Sequence, residues 1–96
     1  MSITNYKHEI TDFAGRRCLI IEDLNQGGRS LTNSIEEVVT EICVFAKEDP
    51  CDLMIVYKDS EGVWDGWDHR NKEFVALTCE NQWHAIRRYI KKQLQP

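Results

Sequence analysis

With 96 residues the chain has room for one core and not two, and 42% hydrophobic against 29% charged residues is a globular balance that excludes a disordered polar chain. A net charge of −4 disfavours nucleic acid as partner, because phosphate binding needs concentrated Lys and Arg. No apolar run approaches the roughly 18 residues that span a bilayer, and the opening residues 1–8 are too polar for a secretory signal, so the expected setting is the cytoplasm. The four cysteines are scattered beside apolar neighbours and read as reduced, small hydrophobic residues.

Residues 6–13 alternate Tyr6, His8 and Ile10 with Lys7, Glu9 and Thr11, which predicts a strand. Ala14, Gly15 and Arg16 turn it into a second strand over 17–22, whose continuous apolar centre implies contact on both faces or a place inside the sheet. Asn25, Gln26, Gly27, Gly28, Arg29 and Ser30 form a glycine-bearing loop before a helix, but the segment lacks the lysine of a phosphate cradle and is expected to be a plain connection. Ser34 and Glu37 have capping-box spacing, with Thr32 and Asn33 as alternative caps. Ile35, Val38, Val39, Ile42, Cys43 and Ala46 then fall on one helical face, opposite Glu36, Glu37, Thr40, Glu41 and Lys47, before Asp49 and Pro50 end the helix.

The densest pattern lies over residues 51–78. Residues 53–57 predict a central strand, and Asp59 with Gly62 marks a hairpin turn. Residues 63–69 run back, Arg70, Asn71 and Lys72 turn again with Asn71 as the expected left-handed position, and 74–77 form a last strand. Thr78 or Cys79 is placed before a final helix with Glu80 in its first turn. Trp83, Ile86, Ile90 and Leu94 form its stripe, Tyr89 lies beside it, and Arg87, Arg88, Lys91 and Lys92 make a solvated outer face. The expected fold is a single α+β domain over 1–96 in the order ββαβββα, a mostly antiparallel sheet with both helices packed on one face.

Residues 63–69 also carry the most unusual composition. On a strand, Trp64 and Trp67 point to opposite faces, which predicts at least one indole outside the core, and Gly66 between them predicts a bulge or a close approach by another ring. Trp64, Asp65, Trp67, Asp68, His69 and Arg70 are therefore the expected partner-binding surface, since Trp anchors binding hot spots. The opposing expectation is that one indole fills the core and the other caps the sheet edge.

No catalytic constellation assembles from the spacing, so the expectation is a protein that is not an enzyme. Cys79 with His84 or His69 is a weak Cys-His pair, no cysteine or histidine spacing fits zinc, and Asp65, Asp68 and His69 read as solvated turn groups before they read as a cation site. No metal or cofactor is expected.

Residues 30–39 and 57–65 resemble segments of small uncharacterised bacterial proteins carried by mobile elements, such as phage reading frames and integron gene cassettes. That resemblance implies a compact α+β adaptor or binding protein of accessory function and brings no catalytic residues with it. The leading expectation is a non-enzymatic protein-interaction module that binds a protein partner or forms a homodimer. The alternative is a small-ligand binder with an apolar pocket between the first helix and the sheet, lined by Met54, Tyr57 and Trp83. A third class, an acidic helix face that mimics nucleic acid, fits poorly with so small a net charge.

Overall fold

The computed structural model describes residues 6–24, 31–59 and 61–94. The loop weighed above as a phosphate cradle, residues 25–30, lies outside them. Strand β1 (Tyr6–Phe13) pairs antiparallel with β2 (Arg16–Asp23), and β2 pairs in parallel with β3 (Met54–Lys58). β3, β4 (Trp64–Asp68) and β5 (Glu73–Cys79) form the predicted antiparallel meander, giving one sheet in the order β1-β2-β3-β4-β5. The parallel step needs a crossover, supplied by helix α1 (Ile35–Ala46), and helix α2 (Gln82–Leu94) follows β5. The ββαβββα order and the mostly antiparallel α+β sheet agree with the sequence pattern. Among the described residues no helix is long and apolar enough to cross a membrane.

The placement of the helices differs from expectation. Leu19, Ile21, Ile55, Tyr57 and Trp67 pack with Ile35, Val38, Val39, Ile42 and Cys43 of α1, whereas Cys18, Ile20, Met54, Val56 and Trp64 pack with Ala85, Ile86 and Tyr89 of α2. The helices therefore cover opposite faces of the sheet and not one. The cause is legible in β2 and β3 themselves: runs apolar at every position bear side chains that need cover on both sides. A 12-residue helix such as α1 is marginal alone in water, so its buried stripe holds it, each fully buried aliphatic side chain contributing about 1.5–3 kcal/mol.

Ends and turns show where local chemistry and the wider fold agree. Asp59 Oδ1 accepts from the N–H groups of Glu61 (2.9 Å) and Val63 (3.2 Å), and Gly62 takes φ of 84°, as the turn pattern predicts. The capping box does not form: Ser34 precedes α1 but its hydroxyl donates to the Leu31 carbonyl at 3.5 Å, within a 3-10 turn over Leu31–Ser34. α1 stops at Ala46 because Lys47 turns left-handed (φ 58°), earlier than the proline requires. In the second meander turn the left-handed residue is Lys72 (φ 55°) and not Asn71, because Asp68 holds Asn71 by its backbone N–H (3.2 Å) and its side-chain amide (2.9 Å). α2 is capped by Asn81, whose Oδ1 accepts from the Trp83 N–H at 2.7 Å, so Thr78, Cys79 and Glu80 all precede the helix. Its buried stripe is Ala85, Ile86 and Tyr89, while Trp83 and Leu94 are exposed.

Gly66 has the close ring approach that its position predicts. A Cβ there would lie 2.8 Å from the Tyr89 ring, and the Tyr89 hydroxyl donates to the Trp67 carbonyl at 3.2 Å, so α2 is seated against β4 where the side chain is missing. Gly66→Ala is expected to lower unfolding free energy by about 1–3 kcal/mol through this overlap. A urea melt of the variant checks it, and an unchanged midpoint would show that α2 is not seated there.

Candidate functional site

The structure takes the expected partner surface apart residue by residue. Trp64 and Trp67 do point to opposite faces, but each enters a core, with 5% and 4% of its surface exposed, so neither indole lies outside the core, contrary to expectation. A sheet covered on both sides offers both faces of β4 a core. Asp65 Oδ1 accepts from the N–H groups of Leu77 and Thr78, both at 3.0 Å, and so replaces a backbone partner where β5 bulges opposite β4. Asp68 holds the following turn, and Arg70 is exposed with a long ion pair to Asp52 (3.7 Å).

His69 is buried. The Trp67 indole N–H donates to its Nδ1 at 3.0 Å, and because indole only donates, that nitrogen carries no proton. Nε2 stands 2.9 Å from Lys72 Nζ, and Lys72 pairs with Glu36 of α1 at 3.9 Å. Burial, then the Lys72 ammonium, pushes the imidazole pKa below its ordinary value, against the opposing pull of Glu36, Asp49 and Asp68. With Nδ1 unprotonated the neutral ring carries its proton on Nε2, so the bolt between the meander and α1 consists of the Trp67–His69 hydrogen bond and the Lys72–Glu36 pair, with no hydrogen bond between His69 and Lys72.

The alternative pocket does not assemble either. Tyr57 is buried on the α1 side with its hydroxyl 3.0 Å from Thr32 Oγ1, Met54 is buried on the α2 side, and Trp83 lies on the exposed part of α2. The sheet separates Tyr57 from Met54, so the three residues share no cavity. The three buried thiols are likewise occupied or quiet. Cys79 donates to the Leu77 carbonyl at 3.3 Å and not to an imidazole, and it sits on the α2 side whereas His69 bonds on the α1 side. Burial, with Glu48 and Asp49 adding, pushes the Cys43 thiol up to about 11, and burial also raises Cys18. All four cysteines are free thiols; the reading as small hydrophobic residues fits Cys18, Cys43 and Cys79, which are buried, and not Cys51, which is exposed.

What the fold does gather is a groove of about 820 Å³ that no single stretch of sequence indicates. The end of β1 supplies Phe13 and the turn after it Ala14, the end of β5 and the residue after it supply Thr78, Cys79 and Glu80, and α2 supplies His84, Arg87, Arg88, Ile90 and Lys91. Phe13 stacks on Trp83 (centroids 5.4 Å apart, 27° between planes) and carries the Arg87 guanidinium over its ring, 5.8 Å from the ring centre. Arg88 Nη1 donates to the Leu77 carbonyl at 2.8 Å, which ties the helix to the bulge. Arg87 and Lys91 form no ion pair with a carboxylate among the described residues. Ala14 and Thr78 both hold positive φ, 52° and 51°, a conformation costly for a residue with a Cβ and most of all for a β-branched one. The wall of this groove thus sets two left-handed backbone positions beside a cluster of cations.

No protein-family model, no curated protein and no solved structure matches the chain.

Because His69 resists protonation when folded and takes up a proton at its ordinary pKa when unfolded, its contribution to stability is complete above that value and is lost as pH falls below it. The melting temperature of the wild type is expected to drop more than that of His69→Gln as pH is lowered from about 7 to about 5. Melts followed by tryptophan emission test this, and parallel pH curves for the two proteins would remove the bolt.

Proposed function

We propose that this chain is a non-enzymatic protein-interaction module that takes an acidic, apolar-bearing segment of a protein partner into the groove between the β1–β2 turn and α2. The observation that carries this is the pair Arg87 and Lys91, left without carboxylate partners along a groove whose apolar surface comes from Phe13 and Ile90, in a chain of net charge −4. Cations held at fixed spacing beside an aromatic ring recognise carboxylates that sit next to apolar side chains, a local attraction set against the negative charge of the chain as a whole.

A helical protein segment suits the shape better than a small molecule. The basic flank runs from His84 to Lys91, two helical turns or about 10 Å, and it is open along that length. Nucleic acid suits the charge badly, because the opposite layer carries the acidic face of α1 and repels a second phosphate strand. The resemblance of residues 30–39 and 57–65 to small uncharacterised proteins of mobile elements accords with binding without chemistry.

Titration with synthetic amphipathic helices that share one apolar face and carry Glu, Gln or Lys on the other tests the proposal, read by emission of the exposed Trp83. The Glu peptide is expected to bind at least about tenfold more tightly than the Gln peptide, with the advantage lost in the double variant R87E/K91E and reduced by salt. Equal affinity for all three peptides, or indifference to the double variant, would contradict it.

A further inference from the structure

Resting on that assignment of the groove, we infer that its occupant is the outer face of α1 from a second copy of this chain, so that copies associate head to tail. The outer face of α1 has the complementary composition. Glu37 and Glu41 are separated by one helical turn, and neither forms an ion pair among the described residues, whereas Glu36 beside them is engaged with Lys72. Val44 and Phe45 continue the same face and are 75% and 72% exposed, the two most exposed large hydrophobic side chains of the described residues. An adjacent pair of this size left in water at the end of an otherwise well-buried helix marks a surface that is covered in use.

The spacing matches as well as the sign. Arg87 and Lys91 are also one turn apart on α2, so two carboxylates at i and i+4 face two cations at i and i+4, each pair about 6 Å apart along its helix. The turn that follows Glu41 then brings Phe45 toward the apolar part of the groove around Phe13 and Ile90. Because α1 and α2 cover opposite faces of the sheet, a single molecule is unable to place its own α1 in its own groove. Contact between copies is therefore heterologous, and every added copy presents a fresh α1 face at one end and a fresh groove at the other, which gives a ring or an open chain and not a two-fold dimer.

Sedimentation velocity of the full chain over a wide concentration range at low and high salt tests the inference, together with the variants E37K/E41K and R87E/K91E, none of whose side chains is buried and whose folding is checked by thermal melts. The wild type is expected to grow beyond monomer with concentration and less so at high salt, and each variant alone is expected to lose association by about tenfold or more. Mixing the two variants restores it, because the lysine-bearing α1 of one fits the glutamate-bearing groove of the other. A wild type that stays monomeric while still binding the Glu peptide would overturn this inference and leave the groove assignment standing. Monomers that also ignore the peptide would overturn both. Association untouched by either variant, or not restored on mixing, would place the interface elsewhere.

Discussion

The constraint on which the rest depends is that β2 and β3, adjacent and parallel at the middle of the sheet, are apolar on both faces. Across them run the rows Leu19–Ile55–Trp67 on one side and Ile20–Val56–Gly66 on the other. Neither row tolerates water, so each requires a helix, and the parallel step between the strands supplies one of the two as its crossover. The C-terminal helix completes the other layer, seated by Tyr89 over the gap that Gly66 leaves. The separation of α1 from α2 by the sheet thus follows from strand composition, and so does the separation of the acidic surface from the basic one.

Much of the architecture was legible because it is local. The stripe of α1, the Asp59–Gly62 turn and the opposed indoles follow from side-chain period and turn chemistry alone. What was not legible is what tertiary neighbours decide. The apolar run of β2 signalled two-sided burial, yet nothing local says which helix covers which side. Trp64 and Trp67 look like surface anchors beside acids until both sides of the sheet prove to be core, and then Asp65, Asp68 and His69 are revealed as the groups that pin the bulge, the turn and the Trp67 indole. Val44 and Phe45 passed unnoticed because the regular stripe ends cleanly at Cys43 and Ala46, and their exposure is visible only once α1 is docked.

The groove was missed for a related reason. Its parts lie in three separated stretches, around Phe13, Thr78 and Arg87, and only the closure of β1 beside α2 assembles them. Read along the chain, Arg87, Arg88 and Lys91 are an ordinary solvated helix end favoured by the dipole. In the fold, Arg88 is tied to the Leu77 carbonyl, Arg87 lies over Phe13, and the backbone beside them is held in left-handed conformations at Ala14 and Thr78. On this surface that cost at Ala14 and Thr78 stands beside Arg87 and Lys91, which have no carboxylate partner among the described residues.

The division of the molecule by its sheet is tested most directly by nuclear Overhauser contacts among methyl groups. Val39 and Ile42 should show contacts to Leu19, Ile21 and Ile55, and Ile86 to Ile20 and Val56, with none between the side chains of α1 and those of α2. Direct contacts between the two helices would place them on one face, and the opposition of acidic and basic layers would fall with them.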